Sequence, residues 1–369
     1  MTFALFILAL WTLGFLFMFR VPVCRSSGAH RQRPTLSIII PARNEESTLP
    51  ILLTSLSVQD PLPEEIIVVD DGSEDRTAVV AREAGVRVLP SEPLPDGWRG
   101  KTWACFQGAE EATGEVLLFV DADTFFEQDG LHRIMDTYLD QRGVLSVGPY
   151  HKVRRVYEEL SAFFNLIMTG GTGAFTVLGT MRQPTGLFGP FLMLDRHTYF
   201  QSGGHARVKD KILENLHLAA WFRRSGVPMR CYGGKGAVSM RMYPHGLRDL
   251  IEGWSKAFAT GAASTPLPLL LLIIAWIAGS IEAIIYVVWA VLNGSVYSLV
   301  LSGVLYLCFA LQIWFMLTRI GAFRLCTALL YPIPLLFYIV VFTRSSLLYK
   351  LNRGVSWKGR HVDTGPPGK

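Results

Sequence analysis

The segment VLLFVDADTFF, Val116 to Phe126, runs through apolar residues and stops on Asp121 and Asp123 with one alanine between them. A carboxylate left uncompensated at the edge of a core is costly, so two of them at a strand end need a partner or a purpose. Oxygen donors at this spacing suit a hard divalent cation such as Mg²⁺, which usually shares its shell with substrate phosphates. The plainer alternative is a strand leaving the core for a loop, where acids are common. Two further apolar runs end in the same manner: Leu36–Ile40 leads into Pro41, Arg43, Asn44 and Glu45, and Ile66–Val69 leads into Asp70, Asp71 and Gly72. Open α/β sheets bind ligands in the crevice outside the carboxyl ends of their strands, and three such ends carrying polar and acidic residues favour a binding site over solvated loops. No G-x-G-x-x-G follows the first strand and no G-x-x-x-x-G-K-[ST] occurs, which argues against a dinucleotide fold or a P-loop nucleotidase.

The elements that must position these residues alternate. Leu49, Leu52, Leu53 and Leu56 give helical spacing within Ser47–Gln59, and Thr77–Gly85 reads as a helix ending on a glycine. A short strand Val86–Leu89, a helix Thr102–Thr113, the strand Val116–Val120 and a helix Leu131–Leu139 continue the series. Strand and helix in regular succession predict an α/β domain with a mostly parallel sheet covered on both faces.

Half of the 369 residues are hydrophobic, and they are unevenly spread. Residues 1–20 read as an uncleaved membrane anchor, because no Lys or Arg precedes the apolar run and no A-x-A-like cleavage site follows it. Arg20, Arg25, Arg31 and Arg33 behind it place the next domain, 34–263, in the cytoplasm by the positive-inside rule. Residues 266–343 hold three apolar stretches, Pro268–Leu292, Val296–Leu317 and Leu325–Phe342, each about long enough to span or nearly span a bilayer. Three full crossings would put the basic tail 344–369 outside, so the last stretch, which carries Pro332 and Pro334, is expected to be re-entrant or broken. Glu282 within the first of these stretches is a costly intramembrane carboxylate, functional or structurally partnered. Five scattered cysteines without C-x-x-C pairing give neither a disulfide framework nor a zinc site, and the net charge of +5 is compatible with anionic lipid.

IIIPARNEE, VVDDGSEDRT, WRGKTWAC and FVDADTFF, in this order and spacing, resemble family 2 glycosyltransferases of the GT-A fold. GVLSVGPYH, YEELSAFFNLI, FGPFLML, RMYPHGLRDLIEGWSKAFATGA and WKGR extend the resemblance to the membrane-bound bacterial branch that glycosylates carotenoid acids. It implies a GT-A nucleotide-sugar-binding domain flanked by N-terminal and C-terminal transmembrane helices. Asp123, with Asp121 behind it, would hold Mg²⁺ or Mn²⁺ against the diphosphate of UDP-glucose, acting as Lewis acid and template. The resemblance places Asp71 and Glu45 at the uridine, with Pro41, Arg43 and Asp70 in the same donor site. Lys101 would approach the diphosphate, unless it is a surface lysine opening a helix.

The family usually has Glu-Asp where this chain has Glu214-Asn215, and there the aspartate deprotonates the acceptor hydroxyl. Asn cannot take a proton. Either Glu214 serves as base with Asn215 as a positioning group, or the acceptor is a carboxylic acid, which with a pKa of about 4 is already ionised at neutral pH and needs no base. A helix on which Glu214 is merely a first-turn acid is the plain alternative. Trp254 and Lys256 stand where membrane-bound relatives place Q-x-x-R-W, absent here in that form, and are expected at the donor or acceptor mouth. An interfacial belt is their other reading, as for Trp357, Lys358 and Arg360. His205 and His245 are more often loop hydrogen-bonders than ligands.

The function this implies is an inverting, metal-dependent transfer of glucose from UDP-glucose to the carboxylate of a C30 carotenoid acid, in carotenoid biosynthesis. It would take place on the cytoplasmic face of a bacterial cell membrane, with acceptor drawn from membrane lipid and no nucleic-acid partner. The alternatives are transfer to another lipid (polyprenyl phosphate, hopanoid or diacylglycerol), a processive polysaccharide synthase, a non-catalytic scaffold and a transporter. Few spans and no paired half-repeats weigh against the transporter.

Overall fold

The computed structural model describes residues 2–28, 32–179, 182–211, 213–261, 265–350, 355–357 and 360–362, with side chains excepted for 256–261 and from 348 onward. From the N terminus, α1 (Thr2–Phe17) precedes β1 (Leu36–Ala42), α2 (Leu49–Ser57), β2 (Glu65–Asp70), α3 (Thr77–Glu83), β3 (Arg87–Pro90), α4 (Gly100–Glu111) and β4 (Val116–Val120). Then come β5 (Thr124–Phe126), α5 (Gly130–Gln141), β6 (Val144–Gly148), β7 (Tyr150–His151), a 3₁₀ turn Val156–Ser161 and α6 (Ala162–Gly171). They lead to β8 (Phe191–Asp195), α7 (Arg196–Gln201), a 3₁₀ turn Gly204–Val208, α8 (Glu214–Arg224), β9 (Met229–Gly233) and β10 (Val238–Met240). Helices α9 (Leu247–Gly261), α10 (Leu267–Asn293), α11 (Val296–Ile320), α12 (Leu325–Leu329) and α13 (Pro332–Lys350) follow, then the short pair β11 (Val355–Trp357) and β12 (Arg360–Val362).

These elements form two compact units, neither of them a continuous block: one takes Met1–Val21, Lys152–Arg182 and Tyr243–Lys369, the other Pro22–His151 and Gln183–Met242. The hydropathy-based block 34–263 therefore differs from the folded unit, since 152–182 and everything from 243 group with the apolar helices.

The second unit is built on a seven-stranded sheet ordered β3-β2-β1-β4-β8-β6-β9. Every neighbouring pair is parallel except the two made by β8, which is antiparallel to β4 and to β6. The sheet is thus mixed and mostly parallel, with the near-continuous apolar strands that burial on both faces demands. Pleating divides β1: Ile38 and Ile40 join Leu118 and Val120 in a core with Leu49, Leu52, Leu53 and Leu56 of α2 and Leu131, Ile134 and Tyr138 of α5. Ile39 faces the other way, against α4. There Gly108 is required by close approach, because a Cβ would stand 2.5 Å from Ile39 Cγ2 and 3.0 Å from Val69 Cγ2. A small second sheet, β5-β10-β7, completes this unit.

In the first unit, α10 and α11 are each long and apolar enough to cross a membrane. The 16 residues of α1 fall short of the roughly 20 that a crossing takes. α1 packs closely on its partners: Gln312 Nε2 donates to Trp11 O at 2.9 Å, Trp276 Nε1 donates to Gln312 Oε1 at 2.8 Å, and a Cβ on Gly14 would strike both side chains. The third apolar stretch is two helices, α12 and α13, separated by Leu330 and Tyr331. Pro332 opens α13, where its missing N–H costs no helical bond. The Glu159 carboxylate accepts from Thr327 Oγ1 at 2.5 Å and Arg324 N at 3.3 Å, which caps the first turn of α12.

Candidate active site

The carboxyl ends of β1 and β2 are laced together. Arg43 Nη1 donates to Asp71 O at 2.7 Å, Asn44 N to Ser73 Oγ at 3.0 Å, Glu74 N to Asn44 Oδ1 at 2.9 Å and Glu45 N to Thr77 Oγ1 at 2.7 Å. Asn44 sits at φ 52° and Gly72 at φ 64°, a left-handed backbone that Asn and Gly tolerate best. Asp70 Oδ1 accepts from Ser73 N at 3.2 Å and so shapes its own turn, while Glu45 Oε2 accepts from Thr48 Oγ1 at 2.5 Å. Pro41 is the penultimate residue of β1, level with Val69 of β2. Asp70, Asp71, Arg43 and Glu45 are thereby gathered at one mouth of the sheet, with Pro41 directly beneath.

A second cluster forms across β4, α4 and α8. Lys101 Nζ lies 2.7 Å from Asp121 Oδ1, 3.0 Å from Glu214 Oε1 and 3.3 Å from the Gly189 carbonyl oxygen. The first turn of α4 holds the lysine there: Arg99 N donates to Lys209 O at 2.9 Å, and Thr102 Oγ1 donates to the same carbonyl at 2.8 Å. Burial works against the Lys101 charge, but the Asp121 and Glu214 carboxylates outweigh it and hold its pKa well above the usual lysine value. Lys101 is thus a charge-balancing group of the cluster. Its side chain is 37% exposed, so it stands at the edge of the cluster with its ammonium group turned onto the two carboxylates.

Glu214 and Asn215 open α8 and are both buried. Asn215 Nδ2 donates to Gly189 O at 3.0 Å and to Phe188 O at 3.2 Å. An aspartate in the same pose would press a carboxylate oxygen against two carbonyl oxygens, so this position is built for an amide. Phe188 and Gly189 had no place among the residues expected from sequence. They act through backbone carbonyls, and the one local signal is the Gly-Pro pair that feeds β8.

Asp121 and Asp123 bracket the turn after β4, with Thr124 N and Thr124 Oγ1 both donating to Asp121 O. Among the described residues no group of three or more His, Cys, Asp and Glu could hold a metal by itself. Two carboxylates suit a Mg²⁺ or Mn²⁺ that completes its shell with substrate oxygens and water, and do not suit a cage made of protein alone.

Other expected residues lie elsewhere. Trp254 belongs to the other unit, 2% exposed, stacked on Phe164 with ring centroids 4.8 Å apart and donating to Ser161 Oγ at 3.0 Å. The expectation of a substrate-facing indole gives way to a packing one, because its ring and its N–H are both engaged within that unit. The Lys256 side chain lies outside the described residues, as do those of Trp357, Lys358 and Arg360, and Arg31 entirely. His205 is buried between Phe119 and Tyr199, its Nδ1 2.9 Å from the Tyr199 hydroxyl. Burial, aided by the Lys101 charge, pushes it down to about 3, so it is a neutral core histidine. His245 is exposed and Glu282 half-buried on α10.

Comparison with known proteins joins this geometry to a family. The model of "Glycosyl transferase family 2" matches residues 37–216, from β1 to the first turn of α8. The chain is 41% identical over 254 residues to the 4,4'-diaponeurosporenoate glycosyltransferase of Staphylococcus haemolyticus (strain JCSC1435), 68% of each chain. It is 36% identical over 329 residues to that of Staphylococcus aureus (strain USA300), covering 88% of this chain and 87% of the relative. Among solved structures, the mannosyltransferase PcManGT from Pyrobaculum calidifontis, in complex with GDP-Man and Mn²⁺, superposes with TM-score 0.56 at 16% identity over 95% of this chain and 99% of that one, a likeness of GT-A fold. A match that begins on the first strand of the sheet and ends on Glu214 and Asn215, with relatives this similar along most of their length, settles the family: the chain belongs to glycosyl transferase family 2 and is a glycosyltransferase.

Proposed function

We propose that the enzyme transfers glucose from UDP-glucose, with inversion, to the carboxylate of a carotenoid acid. The observation that carries this reading is the amide at position 215, held by two carbonyls where the family usually has its aspartate base. An acceptor that arrives ionised needs no base: one carboxylate oxygen attacks the anomeric carbon, the bond from that carbon to the diphosphate oxygen breaks, and UDP leaves with the electron pair. The product is a glucosyl ester. Relatives named for 4,4'-diaponeurosporenoate, itself a carboxylate, support the same acceptor class.

Asp121 and Asp123 would hold Mg²⁺ or Mn²⁺, which when bound neutralises charge building on the departing diphosphate. Lys101, paired with both Asp121 and Glu214, offsets their charge toward the anionic donor and acceptor. Arg43, Glu45, Asp70 and Asp71, with Pro41 beneath, form the mouth that takes the nucleotide. The apolar helices α10 and α11 would seat the enzyme in the bacterial cell membrane, with the catalytic unit in the cytoplasm, where an acceptor that hardly dissolves in water enters from lipid.

The test is UDP release by purified protein with UDP-glucose and Mn²⁺ or Mg²⁺, offered either a long-chain polyenoic acid or the matching alcohol. Turnover is expected with the acid alone, abolished in Asp123→Ala and only partly reduced in Glu214→Gln. Turnover with the alcohol alone would make Glu214 the working base and overturn the proposal.

A further inference from the structure

Asn215 is 5% exposed, and its side chain is oriented unambiguously. Two carbonyl oxygens face one end of the amide, so that end is the nitrogen, with both hydrogens committed to Phe188 and Gly189. The carbonyl oxygen on the opposite edge is buried and has no hydrogen-bond donor among the described residues. Buried polar atoms in folded proteins nearly always find a partner, and one left over in a functional cluster marks a place that a ligand completes. The cluster is the reacting one, since the Gly189 carbonyl that fixes Asn215 also accepts from Lys101 Nζ.

An amide oxygen can only accept, so its missing partner must donate. An ionised carboxylate offers no proton, a diphosphate offers none, and Lys101 is already shared between Asp121, Glu214 and Gly189. Among the groups that react or lie beside the reacting centre, the hydroxyls of the sugar are the donors. In the sugar-transfer reading above, the nucleotide would lie at the laced loops after β1 and β2 and the diphosphate near Lys101, which leaves the hexose as the part of the donor beside Glu214 and Asn215. We propose that Asn215 reads one hydroxyl of the transferred hexose through this oxygen, a specificity contact that rests on the sugar-transfer reading above and deepens it. An amide accomplishes this without adding a further negative charge beside Glu214, where an anionic acceptor has to approach.

The experiment measures UDP release by hydrolysis, without acceptor, from UDP-glucose and its 2-, 3-, 4- and 6-deoxy analogues, using wild type and Asn215→Ala. A site built to bond a hydroxyl rejects the analogue lacking it, so wild-type kcat/KM is expected to fall roughly tenfold to a hundredfold more for one analogue than for the others. In Asn215→Ala that one penalty disappears while the others persist. A uniform loss across all five donors, with the wild-type pattern kept, would mean that the amide merely holds Phe188 and Gly189, and would overturn the proposal. Asn215→Ser, which retains a donor for Gly189, gives the same two outcomes if the alanine variant does not fold. A parallel arm with the polyenoic acid separates the readings: hydrolysis without ester formation counts against the acceptor alone.

Discussion

His205 carries the plainest pH consequence at the scale of single residues. Its folded pKa of about 3 lies below the value near 6.5 of an unfolded histidine, so between these pH values the unfolded chain binds a proton that the folded chain refuses. Stability therefore falls as pH drops below about 6.5, and this loss stops below about 3. From pH 6.5 to 4.5 the histidine alone should cost about 2–3 kcal/mol. His205→Asn, less stable at neutral pH, should show a correspondingly shallower acid dependence in thermal unfolding; an unchanged slope would mean that the ring is not dry. Residue types were readable from sequence, but their partners were only partly so. Asp121, Asp123 and Glu45 announced themselves by ending apolar runs. The pairing of Lys101 with Asp121 and Glu214 did not, because it joins residues that are brought together only when β4, α4 and α8 meet. Trp254 misled for a related reason: an indole near a membrane segment looks the same on paper whether it faces solvent or stacks on Phe164.

Position in the element decides how α4 delivers its lysine. Gly108 lets the helix lie against Ile39 and Val69, and Lys101 sits two turns away on the same helix. Gly108→Ala should lift α4 by several tenths of an ångström, costing about 1–3 kcal/mol through overpacking, and activity should fall further than lost folding explains. Measuring kcat at a temperature where the variant is still folded checks this; a kcat equal to wild type would detach helix position from Lys101 function. The alternation of strands and helices was legible because burial on both faces writes each strand as an apolar run. The reversal at β8 was not, since an antiparallel strand buried on both faces carries the same composition as its parallel neighbours.

For the whole molecule, the division into two discontinuous units governs how it can be cut. Removing Met1–Val21 together with everything after Met242 leaves 152–182 behind, a segment that buries Phe163, Phe164, Leu166 and Phe175 within the unit of apolar helices. Such a truncation should aggregate, whereas one in which 152–182 is also replaced by a short flexible linker should elute as a discrete soluble species on size exclusion. Equal behaviour of the two would show that 152–182 is self-sufficient. Hydropathy could not show this membership, because 152–182 carries charge at both ends and reads as ordinary soluble chain. The boundary is set by packing partners far away in sequence.

The lacing of the loops after β1 and β2 reaches beyond the present chain. Asn44 and Glu46 exchange hydrogen bonds with Ser73, Glu74, Asp75 and Arg76, and the traffic runs in both directions: Glu46 N donates to Asp75 Oδ2, and Arg76 N donates to Glu46 Oε2. Segments coupled this tightly mutate as a pair. An engineer who wishes to exchange either loop with a relative must transplant both at once, and natural variation in one should be answered by variation in the other.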